Sequence, residues 1–272
     1  MRPFLALTLV MAVLECSVIG ADLTEQAKRG DFKKLKKTID ADPKLANAQR
    51  DDGVPLLYFA AANGHADMVE YLIKMGAAVD AKTEYGGALH VAVEGEHRAA
   101  VSVLLKSKAD PNLRNKWGQS PLHGTTTHRD EQIAQLLVKA GADVSAVDDR
   151  GRTPLHRCKS LPVAKVLVQA GANVNAQDTN GYNALHWAAT PREIVNKPTV
   201  DFLLARGIDV SAKDKKGLTP LELARHSGQK DIVAILEKQR IKEKVQPDGP
   251  ANGSQPMRAE TNRTSSAAGS RR

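Results

Sequence analysis

The chain has 272 residues, of which 42% are apolar but only 4% aromatic, which excludes a large core built on aromatic side chains. Burial has to come from many Ala, Leu and Val side chains in thin layers, each worth about 1 to 3 kcal/mol when fully buried. The formal charge of +8 arises from 39 basic and 31 acidic residues interleaved along the chain and reads as a solubility feature. Outside two short local clusters, Lys and Arg are not gathered with stacking aromatics into the stripe of a nucleic-acid binder, so no nucleic-acid partner is expected.

Met1 to Gly20 carries Arg2, an apolar run from Phe4 to Leu14, and small residues around Val18, Gly20 and Ala21, the three-part layout of a secretory signal peptide. The run of 11 residues is short of the roughly 20 that span a bilayer as a helix, so cleavage after Gly20 or Ala21 is expected rather than a stable membrane anchor. Glu15 directly before Cys16 departs from the small residue of a lipid-attachment site. With the signal removed, Cys158 is the one remaining cysteine, and the exported fold must be stable without an intramolecular disulfide. Export ends in a periplasm if the host is bacterial and outside the cell otherwise.

Beyond that segment, Leu23 to Asp40 reads as a helix pair broken at Gly30-Asp31, with Lys33, Lys34, Lys36 and Lys37 on its outer side. A repeated pattern follows. A leucine, usually succeeded by His or a similar residue, returns at Leu57, Leu89, Leu122, Leu155, Leu185 and Leu221, at intervals of 32, 33, 33, 30 and 36 residues. Ahead of each stands a turn glycine, Gly53, Gly86, Gly118, Gly151, Gly181 and Gly217, with Gly86 one place closer than the others. A second punctuation closes each unit at Gly76-Ala77, Lys108-Ala109, Gly141-Ala142, Gly171-Ala172 and Gly207-Ile208, where glycine supplies a left-handed helix end. Met68, Val69, Leu72 and Ile73 form an amphipathic stripe on a second helix. Units of this kind stack in one dimension.

The segments Gly118-Gln119-Ser120-Pro121-Leu122-His123 and Gly151-Arg152-Thr153-Pro154-Leu155-His156 resemble the ankyrin-repeat signature, and Asp143-Val144-Ser145-Ala146 and Asn173-Val174-Asn175-Ala176 resemble its closing segment. Weaker copies begin at Gly181 and Gly217. The resemblance covers about Asp22 to Arg240 and implies an all-α solenoid of stacked helix-turn-helix units with β-hairpin-like loops, whose known role is protein binding. Residues 21–50 are expected to form an N-terminal capping repeat, 51–212 five central repeats, 213–240 a C-terminal cap with Glu222 at the His position, and 241–272 a disordered polar tail. Within that tail Asn252 and Asn262 match the glycosylation acceptor pattern, with an unmodified tail preferred. Residues are missing around Lys159 to Pro162 and added around Pro191 to Pro198, both read as loops.

His90, His123, His156 and His186 recur at one repeat position, where neighbouring repeats about 10 Å apart are too far from each other to share a zinc ion that needs nitrogens near 2.1 Å. The resemblance gives them a structural role tying adjacent hairpins. His65 and His97 are read as structural too, and Cys158 as a packed core thiol. Phosphate loops, paired carboxylates and nucleophile elbows are missing from the sequence, so no enzyme, cofactor or metal is expected. The expectation is a monomeric, exported interaction module for one or more folded proteins; the alternative is an accessory subunit that protects or inhibits a secreted enzyme. The residues flanking the central turn glycines, Trp117 and Gln119, Arg150 and Arg152, Asn180 and Tyr182, are expected to project along one edge as the binding face, since Trp, Tyr and Arg most often carry interface energy.

Overall fold

The computed structural model describes residues 19–126, 130–190 and 197–245. Residues 1–18, which hold nearly all of the expected signal segment, lie outside this set, as do the polar tail from 246 and most of the insertion after Thr190. Helix α1 covers 19–29 and buries Leu23 and Ala27; Gly30, at φ 75°, turns the chain into α2, Phe32–Ala41, which buries Leu35 and Ile39. The outer lysines of this pair are exposed as expected, and Lys34 reaches Asp22 at 3.1 Å. A 3-10 turn, Pro43–Asn47, leads into the repeats.

Each repeat is a short first helix, a longer second helix and an extended hairpin. The second helices are α4 (Ala66–Lys74), α6 (Arg98–Lys106), α8 (Glu131–Lys139), α9 (Leu161–Gln169) and α11 (Lys197–Ala205). The first helices are α3 (Leu56–Ala62), α5 (Ala88–Glu94), α7 (Pro121–Gly124), a 3-10 turn at Pro154–Arg157, and α10 (Ala184–Ala188). First helices pack on first helices and second on second, with α12 (Pro220–His226) and α13 (Lys230–Val245) closing the stack. The repeating leucines Leu57, Leu89, Leu122, Leu155, Leu185 and Leu221 are all buried, and a second series, Leu72, Leu104, Leu137, Leu167, Leu203 and Leu236, is buried from the other helix of each unit. Small and branched side chains fill the layers, as the scarcity of aromatics requires.

The turns close by recurring bonds. The N–H of Ala77, Ala109, Ala142 and Ala172 donates to the carbonyl five residues back at 2.9 to 3.0 Å, around a left-handed residue that is Gly76, Lys108, Gly141 or Gly171. Asn47, Asn112 and Asn175 bridge each to the next unit, Asn47 donating to the Gly76 carbonyl at 2.8 Å and accepting from the Ala78 N–H at 2.9 Å.

Three expectations change. Pro162 and Pro198 do not sit in loops: each is the second residue of a helix, α9 and α11, where no amide hydrogen bond is needed. The residues missing near Lys159 are taken from the first helix, which shrinks to the 3-10 turn. The last helix continues five residues past Arg240 to Val245, so the first part of the expected tail is helical. Among the described residues, no helix is long and apolar enough to cross a membrane.

Candidate functional site

Four of the hairpins are shaped by a buried side chain three places before the turn glycine. Asn115 Oδ1 accepts from the N–H groups of Trp117 and Gln119, Asp148 Oδ1 from Arg150 and Arg152, Asp178 Oδ1 from Asn180 and Tyr182, and Asp214 Oδ1 from Lys216 and Leu218, all between 2.7 and 3.0 Å. This is the local turn chemistry that Asn and Asp provide, and the glycine takes the positive φ that follows. Thr83, partly buried, does part of this before Gly86, accepting from the Tyr85 N–H at 3.2 Å and donating its hydroxyl to the Gly86 carbonyl at 2.7 Å.

Adjacent tips are then tied to one another. The N–H of Lys116 donates to the Glu84 carbonyl, Asp149 to Trp117, Thr179 to Arg150 and Lys215 to Asn180, at 2.9 to 3.1 Å. The four histidines lock the hairpins to the first helices. In each ring Nδ1 accepts the N–H at the start of its own helix, from Gly87, Ser120, Thr153 or Asn183. Nε2 donates to a carbonyl of the next hairpin, that of Gln119, Arg152, Tyr182 or Leu218, at 2.9 to 3.1 Å. Burial lowers the pKa of all four, so the neutral form with this tautomer is favoured. His65 and His97 make an analogous set, each donating from Nε2 to a carbonyl of the preceding unit, Lys28 and Ala62, at 3.0 Å.

The six residues expected at the edge divide. Trp117 is 47% exposed, and Arg150 and Asn180 are exposed beside it. Gln119 and Tyr182 are half-buried: the main chain of Gln119 serves Asn115 and His90, and Tyr182 stacks on His186 at 5.3 Å and meets Trp187 edge-on at 5.9 Å. Arg152 does not project. It is 9% exposed, its Nε donates to Asp148 Oδ2 at 2.7 Å, and its guanidinium lies against the Trp187 ring at 5.4 Å. Burial raises the Asp148 carboxyl, but the Arg152 guanidinium and two backbone N–H groups outweigh that and hold it below the usual carboxylate range. Arg152 therefore belongs to the framework beneath the edge.

Tyr85 is the residue that sequence reasoning missed. It precedes Gly86 as Trp117 precedes Gly118, is 52% exposed, and its ring centroid lies 5.8 Å from that of Trp117. Lys116 Nζ sits 4.7 Å from the Tyr85 centroid and 5.0 Å from the Trp117 centroid, held by Glu84 at 2.7 Å. That pairing lowers the Glu84 carboxyl and raises the Lys116 ammonium. Below the tips, a notch of about 400 Å³ opens where α7 and the following 3-10 turn are short, with Glu94, His123, Asp148, Arg152 and Arg157 among its walls. Cys158 lies outside those walls, half-buried and packed on the core, with its thiol pushed up to about 12 by burial, which disfavours the thiolate.

A rigid row of hairpin tips over stacked helix pairs is the construction of a repeat scaffold that presents a surface. Comparison with known proteins agrees. A family model for ankyrin repeats (3 copies) matches residues 23–115, 89–178 and 158–246, and the chain belongs to the ankyrin-repeat family. It is 29% identical over 228 residues to palmitoyltransferase ZDHHC13 of Homo sapiens, taking in 80% of this chain and 36% of that protein. It is 30% identical over 240 residues to palmitoyltransferase ZDHHC17 of Danio rerio, taking in 85% of this chain and 37% of that one. The chain thus spans little more than a third of these relatives, and the shared stretch is the ankyrin region. The crystal structure of the ankyrin repeat domain of Bcl-3 superposes with a TM-score of 0.66 at 29% identity, covering 79% of this chain and 97% of that one. Repeats of this family mediate binding to folded proteins.

Proposed function

We propose that the chain is a non-catalytic scaffold that acts after export and holds a folded protein against the edge made by its hairpin tips, with Trp117 and Tyr85 at the centre. The observation that carries this reading is the solvent-exposed Tyr85–Trp117 pair on hairpins bonded to each other through the main chain. Aromatic rings are preferred interface anchors, and a rigid mount reduces the ordering cost of using them. Export is supported by Arg2, the apolar run from Phe4 to Leu14 and the small residues before Ala21. Affinity capture from the native host with the chain starting at Ala21 tests the edge. Changing Trp117 and Arg150 together to Ala leaves thermal unfolding nearly unchanged and weakens capture by about 2 kcal/mol or more, roughly thirtyfold. Unchanged capture would show that the partner sits elsewhere. Sequencing of the exported protein begins at Ala21 or Asp22; an intact Met1 terminus contradicts export. A stoichiometric enzyme among the captured proteins would narrow the scaffold to an accessory subunit of that enzyme.

A further inference from the structure

Cations that stand one or two repeats apart in the sequence are brought into one row by the stack, the Asp178–Tyr182 hairpin between Arg150 and Lys215 carrying none. Lys82, Arg114, Lys116, Arg150, Lys215 and Lys216 are all exposed on hairpins whose tips are bonded in series from Glu84 to Lys215. Two exposed carboxylates answer them directly along that stretch, Glu84 on Lys116 and Asp149 on Arg114 at 3.5 Å. Among the described residues, Lys82, Arg150, Lys215 and Lys216 have no ion-pair partner. The acids beneath the tips face inward to turn amides: Asp148 also holds Arg152, and Asp178 also accepts from Trp187 Nε1 at 3.0 Å.

We infer that this ridge receives an acidic segment of the protein partner, an extended stretch whose carboxylates meet the free cations while an apolar side chain covers the Tyr85 and Trp117 rings. The inference rests on the binding edge proposed above and names the chemistry of what binds there. Charge complementarity of this sort steers encounter and fixes register along a row of repeats. A peptide suits the row better than a nucleic acid does. Glu84 and Asp149 sit between the cations, and a uniform phosphate backbone would run over both, whereas a peptide places its carboxylates only where a cation stands. The spacing of packed repeats, about 10 Å, corresponds to about three residues of extended chain, so acids at every third position come into register with the tips, with the uncharged Asn180 tip as the one position in the row that offers no cation.

The probes are a fluorescein-labelled peptide with Glu at every third position and Leu and Ser between, its counterparts with Gln or with Lys for Glu, and a labelled oligothymidylate. Fluorescence anisotropy is read with the chain starting at Ala21. The Glu peptide binds, the Gln and Lys peptides bind at least about tenfold more weakly, and added salt weakens the Glu complex. Lys82→Glu, Arg150→Glu and Lys215→Glu combined weaken it about tenfold or more with an unchanged thermal midpoint, while Trp117→Ala weakens the Glu and Gln peptides alike. No binding by the Glu peptide, equal binding by the Gln peptide, or tighter binding by oligothymidylate overturns the acidic-segment assignment. If the native partner is still lost on changing Trp117 and Arg150 to Ala, the edge stands and only its chemistry has been misassigned. Should that capture survive as well, both readings fall.

Discussion

The first helices α3 and α5 run for seven residues each, whereas α7 runs for four and its successor is a single 3-10 turn of four. Leu89, Leu122 and Leu155 are nonetheless buried alike, and the histidine after each reaches the next hairpin at 3.1, 2.9 and 3.0 Å. The stack therefore depends on the opening turn of each first helix, its leucine and its imidazole, and not on how far the helix continues. What the shortened units give up is their last turn, and the space left is the notch beneath Arg152. Tips of both kinds of unit are bonded into the same edge, so length can vary behind the surface without moving it.

The sharpest way to break this comparison is to remove the leucine from each kind of unit. Leu89→Ala and Leu155→Ala are each expected to cost about 2 to 5 kcal/mol in urea unfolding; a Leu155 variant within about 0.5 kcal/mol of the parent would show that the short unit is not packed as described. His123→Ala is expected to cost about 1 to 3 kcal/mol by leaving the Arg152 carbonyl and the Ser120 N–H without their partner, and no metal is released. Stoichiometric zinc in the parent, lost in this variant, would contradict the reading of the ladder.

Acid tests all four rings at once. Their pKa values are held below the ordinary 6.5 by burial, while the unfolded chain titrates near 6.5. Above that value neither state binds the proton and the ladder's full stability is present. As pH falls through it, the unfolded state takes up protons that the folded state refuses, and stability is lost down to the folded-state values. Urea midpoints are expected to fall between about pH 7.5 and about pH 5.5, with a shallower fall in His123→Ala; an unchanged slope in that variant would remove His123 from the ladder's titration. The smallest effect expected is a gain. Lys108 holds φ 64° at a turn where Gly76, Gly141, Gly171 and Gly207 stand in other units, so Lys108→Gly relieves left-handed strain and stabilises by about 0.5 to 1 kcal/mol in the same assay.

The fold was legible because its cause is periodic: Leu57 through Leu221 and the turn glycines recur wherever a helix must begin or a chain must turn. The edge was only partly legible. Arg152 occupies the same offset from its glycine as Gln119 and Tyr182, and Asp148, four residues earlier, is what draws it inward. That Asp was visible as one of a set with Asn115, Asp178 and Asp214 at a fixed place before the glycine. Tyr85 escaped notice because Gly86 stands one residue out of register, although the pair Tyr85-Gly86 matches Trp117-Gly118 directly. The basic row could not be seen as a run, since its six members are spread over four hairpins that become neighbours only when the units stack.

Covering of Trp117 by the partner is the claim on which the account turns, and iodide quenching of its fluorescence reads that directly. In a Trp187→Phe background Trp117 is the one tryptophan of the chain, and its exposed ring is expected to be quenched freely in the isolated protein. Saturation with the captured partner, itself chosen or altered to lack tryptophan, is expected to shield the ring and shift its emission to shorter wavelength. Full complex formation with quenching unchanged would place the partner elsewhere on the stack and contradict the account.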